Sequence, residues 1–191
     1  MKATITPRLI QEGASVGTPC LFVDLLDDTG KEMETNEIMN VLVNSKTKHV
    51  VFNARPSETP DVCTMIRGLA SKSRIPTLQT FGNEKIDPFR IIRGARMFVT
   101  TDIPDKQTGS VQFGNFALYK EDDQVLFSIG TEEDYDKVVG FLTARTITRP
   151  TILFSLSTMT PEAEKAVVSK FFRDSTRFTF KAKVTRPSLI G

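Results

Sequence analysis

Six short apolar runs, set apart by segments with helical spacing, constrain the fold of this chain more than any other feature. The runs are "CLFVDLL" (20–26), "KHVVFNA" (48–54), "IPTLQTF" (75–81), "ARMFVTTDI" (95–103), "QVLFSIG" (124–130) and "TILFSLS" (151–157). Each reads as a buried-type strand. Between them stand helical segments at 35–43, 58–73, 131–145 and 160–174, with a helical turn or short helix at 85–94. The first helix takes Thr35 or Asn36 as its cap. In the second, Val62, Met65, Ile66 and Leu69 recur on one face and Pro60 stands near the first turn; Thr160 and Pro161 open the last. "TRFTFKAKV" (176–184) supplies a closing strand, and "PDKQTGSVQFGN" (104–115) is the one long polar loop. Strands joined through helices imply right-handed parallel crossovers, hence an α/β sheet or a partial barrel.

Composition narrows the class. A chain of 191 residues with 39% hydrophobic content can bury a real core, and it reads as one domain over 1–191. The net charge of +2 is too small to imply nucleic acid. Cys20 and Cys63 make no disulfide framework and read as small buried hydrophobes in a reducing compartment. No stretch approaches the ~18 apolar residues of a membrane span, and "MKATITPRLI" lacks the apolar core of a signal peptide. The expected setting is the cytoplasm, with no membrane contact.

The order of pieces resembles 7-carboxy-7-deazaguanine synthase, a small radical S-adenosylmethionine enzyme family of the queuosine pathway. Gln11, Glu12 and Gly13, followed by Gly17, Pro19 and Phe22, resemble that family's opening "QGEG…G.P..F", with one glycine missing. "HVVFNARP" resembles "vviTGGEP", "PTLQTFGN" the strand ending in "ETNGT", and "DQVLFSIGTEEDYDKVVGFL" the family's "lKfVi…D…v" segment. Residues 36–42 resemble the helix before its second strand, and "TRFTFKAKV" sits where the family closes with "Q.HK". The resemblance runs from about residue 8 to residue 184. It implies a partial (β/α) barrel of mainly parallel strands, of the radical SAM type.

The departures carry as much information. The family holds a [4Fe–4S] cluster on three cysteine thiolates in a CxxxCxxC-type loop, which belongs after Leu26. Here "DDTGKEME" (27–34) stands in that place, without a cysteine. The turn that approaches the cofactor's ammonium is replaced by Asn53, Ala54, Arg55 and Pro56: Arg55 puts a cation where the family has a carboxylate, and Ala54 adds a Cβ. The family's arginine after "F-V" is Asp24 here, and its closing Gln and His are Lys181 and Lys183. Against the resemblance, these changes imply a pseudoenzyme with no iron–sulfur cluster, no other metal, no cofactor and no catalytic residues.

Other chemistry finds little support in the sequence. His49 is the only histidine, at a strand start beside Lys48, and no Ser-His-acid set, Walker loop or GxGxxG is present. The run "EEDYD" (132–136) reads as carboxylates complementing a helix dipole, and "EDD" (121–123) as a turn between strands. Arg55 reads either as an anion fork at the mouth of the former site or as a surface turn residue. In the closing strand, alternation sets Phe178, Phe180, Ala182 and Val184 against Arg177, Thr179, Lys181 and Lys183. The charged face is either a contact surface for an acidic partner or a solubilised edge, and it lacks the interleaved aromatics of a nucleic-acid platform.

Three functional readings follow. The first is a non-catalytic protein-binding, scaffold or structural component that contacts a protein partner or self-assembles. The second is a metal-independent enzyme or binder of a purine-like or pterin-like molecule in the remnant cleft. The third is a component of a larger assembly such as a phage particle, a setting the family's occurrence in phage genomes suggests. For a contact surface the sequence offers Arg177, Lys181 and Lys183, with Phe113 and Phe116 either as anchors or as rings of a loop folded back on its own domain, in a chain that has 14 Phe, 2 Tyr and no Trp.

Overall fold

A computed structural model describes residues 1–10, 17–101, 103, 114–156 and 158–185. Its strands are β1 (Lys2–Leu9), β2 (Pro19–Asp24), β3 (Lys31–Glu32), β4 (His49–Asn53), β5 (Ile75–Phe81), β6 (Arg96–Thr101), β7 (Gln124–Ser128), β8 (Thr151–Ser155) and β9 (Ala182–Thr185). Its helices are α1 (Thr35–Asn44), α2 (Asp61–Ala70), α3 (Asp87–Arg90), α4 (Asn115–Leu118), α5 (Glu132–Ala144) and α6 (Pro161–Asp174). The strands form one sheet in the order β3-β1-β2-β4-β5-β6-β7-β8-β9. From β2 through β9 every pairing along that order is parallel; β1 and β3 add an antiparallel margin beside β2.

The two faces of the sheet differ in what covers them. Leu21, Val23, Val50, Phe52, Leu78 and Val99 point one way and pack with Ile38 and Leu42 of α1, Val62 and Met65 of α2, Tyr135 and Val138 of α5 and Val167 of α6 in one large core. The alternate positions point to the other face, where two small clusters form: Cys20, Phe22 and Val51, and separately Phe98, Leu126 and Leu153. No helix residue joins either small cluster among the described residues. Helices on one face only make the sheet a partial barrel with a helix-free inner wall, the expected fold class, rather than a doubly wound sheet. Val50, Leu78, Ile129 and Phe154, from the apolar runs, lie in the main core; Val51, Phe98, Leu126 and Leu153 are also buried but line the inner wall.

Several expected boundaries are corrected. Strand β1 lies in the N-terminal segment that held no expected strand; only Lys2 and Ala3 pair with β3, so Pro7 stands where the outer edge has no ladder partner and its missing N–H costs nothing. The cap of α1 is Glu34 rather than Thr35 or Asn36, with its N–H donated to the Glu37 carboxylate at 2.9 Å. Thr131 and Thr160 do cap α5 and α6, accepting from the N–H groups of Asp134 and Ala163. The closing strand is shorter than 176–184: residues 175–177 form a 3-10 turn and the ladder runs over Ala182–Thr185 alone. Phe178 and Phe180 explain this, because their rings stack at 4.6 Å and bring the chain in to the α6 side before it can pair. The turn at 121–123 follows α4 rather than a strand, and it hides a fully buried carboxylate, Asp123.

Candidate functional site

The carboxyl ends of the parallel strands gather the residues that the sequence singled out. Asp24, Asn53 and Gln79 are register neighbours across β2, β4 and β5. The Asp24 carboxylate accepts hydrogen bonds from the Asn53 side-chain amide and from the Leu26 N–H, both at 3.0 Å. Ala54 is fully buried and its N–H goes to the Gln79 carbonyl. Arg55 faces solvent, pairs with Glu58 at 3.1 Å and lies 5.3 Å from the Phe81 ring centroid. Its carbonyl accepts from the Glu58 and Thr59 N–H groups, making a closed turn that includes the half-buried Pro56. Asp24, Asn53, Ala54, Arg55 and Pro56 thus come together, but Asp24 is bonded by Asn53 and the Leu26 N–H, and Arg55 is paired with Glu58.

The segment after β2 is tied to the sheet margin. Asp27 accepts from the Thr29 N–H and hydroxyl and from the Thr4 hydroxyl, and these bonds hold its carboxyl below the usual carboxylate range. Lys2 Nζ donates to the Asp28 carbonyl, and the Met1 amino group and Met33 exchange hydrogen bonds through their backbones. A Cβ on Gly30 would stand 2.8 Å from the Ala3 carbonyl carbon, so only glycine lets the two backbones lie this close.

An iron–sulfur cluster does not fit these residues. The chain carries two cysteines, fewer than the three thiolates such a cluster takes. Cys20 is 2% exposed at the amino end of β2, packed with Phe22 and Val51, far along the strand from Asp24. Cys63 sits on α2, against the main core. Burial pushes both thiols above their ordinary range, the reverse of what a thiolate ligand needs. Among the described residues no group of three or more His, Cys, Asp or Glu is arranged to hold a metal ion.

The inner wall holds a cavity of about 250 Å³ near the amino ends of the strands, which the sequence reading did not find. Its lining comes from alternate positions of successive strands, among them Arg8, Phe22, His49, Thr77, Gln79 and Arg96. Arg8, Cys20 and His49 are register neighbours across β1, β2 and β4, and Arg96 stands beside Thr77 on β6. The Arg8 guanidinium lies on the Phe22 ring, 3.3 Å from its centroid. Neither Arg8 nor Arg96 makes an ion pair among the described residues. Partial burial first, and then Arg96 and Lys48, push His49 below its ordinary value, so the ring is neutral at physiological pH. His49 had read as a strand-end residue. The missed signal is a polar side chain near the start of four of the apolar runs, His49, Thr77, Arg96 and Gln124, at the inward parity.

The remaining candidates disperse. Phe116 is 6% exposed and packs edge-on against Phe141 and Tyr119, so of its two readings, anchor or ring folded back on its own domain, the packing is that of the second. Phe113 lies outside the described residues. Arg177, Lys181 and Lys183 are exposed at or beside β9, the last strand of the sheet. The acidic run at 132–136 opens α5 as expected, with Glu133 paired to Lys137 and Asp136 to Lys170.

No family model matches the chain, and no curated protein matches it in sequence. The crystal structure of QueE from Escherichia coli, a 7-carboxy-7-deazaguanine synthase, superposes over 96% of this chain and 93% of that chain, with a TM-score of 0.64 at 14% identity. The shared property is the fold, a radical SAM-type partial barrel. No helix among the described residues is long and apolar enough to cross a membrane.

Proposed function

We propose that this chain is a radical SAM-type half barrel without radical chemistry, working as a protein-binding, scaffold or structural component. The observation that carries the reading is the segment at 27–34. Where the resembling family wraps its cluster, this chain has a thiol-free turn bonded to β1 through Asp27, Lys2 and Met33. Arg55 supports it, since its cation would repel the ammonium of S-adenosylmethionine. Anaerobic reconstitution with iron and sulfide, followed by absorbance and an assay for 5′-deoxyadenosine, tests the proposal. The expected result is no stoichiometric cluster and no cleavage; a cluster with reductive cleavage overturns it.

The partner in this reading is a protein or a further copy of the chain, in the cytoplasm or in a phage-derived assembly, rather than nucleic acid. Arg177, Lys181 and Lys183 surround the β9 edge, and Phe172 on neighbouring α6 is 69% exposed. Affinity capture at low and high salt with wild type and Lys181→Glu/Lys183→Glu tests that surface: charge reversal should weaken capture most at low salt. A second reading, a metal-independent enzyme or binder of a purine-like or pterin-like molecule, is favoured by one observation, the polar cavity on the inner wall.

A further inference from the structure

We propose that the inner-wall cavity binds a compact phosphate monoester with a planar body, held between Arg8 and Arg96. The proposal rests on the small-molecule reading of the cavity and is independent of the fate of the cluster.

Charge sets the ligand's head group. Two guanidinium groups line the cavity, and the carboxylate among its lining residues, Asp122, is an exposed group. Arg96 is half-buried and its side chain makes no hydrogen bond or ion pair among the described residues, a cation partly removed from water without a counter-charge. The Arg8 guanidinium carbon lies over the Phe22 ring, and the group makes no ion pair among the described residues, so its N–H donors are open to a bidentate anion. A phosphate monoester carries about −1.5 to −2 charges at neutral pH, enough to answer both arginines. A monocarboxylate answers one.

Shape and polarity set the body. The cavity's 250 Å³ lies just below the roughly 300–1,000 Å³ usual for ligand pockets, which suits one ring with its phosphate and excludes a dinucleotide. Phe22, Val51 and Phe98 provide an apolar wall, while Thr77 and Gln79 offer donors and acceptors to a ring edge. The neutral His49 adds a hydrogen-bonding group without a third cation. The cavity runs from the amino ends of the strands as far as Gln79, the register neighbour of Asn53, but Asp24 and Asn53 are not among its lining residues.

Calorimetric titration and thermal unfolding with phenyl phosphate, inorganic phosphate and benzoate test the proposal. Phenyl phosphate should bind the wild type and raise its transition, more tightly than inorganic phosphate and at least tenfold more tightly than benzoate. Arg96→Gln and Arg8→Gln should each weaken phenyl phosphate at least tenfold; Arg67→Gln, on exposed α2 surface, should leave it unchanged. Should Arg96→Gln unfold, the exposed Arg8 carries the test alone. Absence of phenyl phosphate binding at millimolar concentration overturns the proposal, as does equal binding by the arginine variants. Guanine binding without phosphate dependence would overturn it too, while leaving the cavity reading in place.

Discussion

Replacing Asp123 should damage this fold more than replacing any residue near the strand carboxyl ends. Its side chain has no exposed surface and accepts hydrogen bonds from the Met97 N–H at 2.9 Å, the Lys120 N–H at 2.7 Å and Arg90 Nη1 at 2.8 Å. It therefore ties α3, β6 and the turn before β7 together. Asp123→Ala strands two N–H groups at about 1 kcal/mol each and a charged bond at about 1.5–3 kcal/mol. Arg90 is itself about 10% exposed, and its Nε and Nη2 are already buried without partners, so the stranded cation finds no substitute. The sum, about 3.5–5 kcal/mol, agrees with the ~3–5 kcal/mol expected when one member of a buried pair is removed. Thermal midpoints should fall by roughly 7–20 °C for a chain of this size. Burial pushes the Asp123 carboxyl up, against the pull of Lys120, Arg90 and Met97. The sign follows: stability from this group is present below the ordinary carboxylate range and declines as pH rises through the folded value. The pair therefore serves to position α3 against β6 rather than to add net stability. Consequently Arg90→Met/Asp123→Asn, which removes both charges and keeps an acceptor for Met97, should recover at least half of the loss in Asp123→Ala. Urea unfolding of the variants, with a check that the m-value is unchanged, measures this. An Asp123→Ala variant within 1 kcal/mol of wild type, or a double variant worse than Asp123→Ala, would refute the reasoning.

Three further outcomes are expected. Leu153→Ala, at a fully buried inner-wall position, should cost about 2–5 kcal/mol in urea unfolding, whereas Arg55→Ala, an exposed turn residue, should stay within about 0.5 kcal/mol. Lowering pH through the depressed Asp27 value should release the turn at 27–34, because that group's contribution is present above the ordinary carboxylate range and lost below it. The protection factor of the Met33 amide against hydrogen exchange, bonded as it is to the Met1 carbonyl, should fall with acid in wild type and lack that step in Asp27→Ala. Gly30→Val should open the same margin at neutral pH, read as faster proteolysis there, since its Cβ meets the Ala3 backbone.

Much of the fold was legible because buried parallel strands and amphipathic helices write themselves locally. "HVVFN" and "TILFS" are apolar at successive positions because one parity packs on helices and the other on the inner wall. Thr131 and Thr160 announce their helices by capping chemistry that needs only neighbours in sequence. The margin was not legible in this way. Strand β1 has a proline and exposed polar side chains, and it is a strand because β2 and the two-residue β3 lie beside it, a fact of tertiary pairing. The shortened β9 has the same origin: period-2 alternation over 178–184 is real, but Phe178 and Phe180 obey it by stacking on α6-side aromatics before the ladder begins.

The site divides along the same line. Asn53 to Pro56 are contiguous in sequence, and Asp24 is brought to them by the register of β2 on β4, so a collinear resemblance was enough to find this group. The cavity residues come from positions 8, 22, 49, 77, 79 and 96, and no window of sequence holds more than two of them. Only the ladder places Arg8 beside Cys20, Cys20 beside His49 and Thr77 beside Arg96. Each of these polar residues, read alone, has a sufficient local explanation, His49 as a strand start and Arg8 as an exposed side chain. Together they line one wall with two cations, no paired carboxylate and an aromatic floor, and a wall of that charge is a property of register that single-residue readings cannot contain. The contrast between the two ends of the strands follows. Asp24 is bonded by Asn53 and Arg55 is paired with Glu58 at the carboxyl ends, whereas the Arg96 side chain, without an ion pair among the described residues, leaves an unfilled demand on the inner wall.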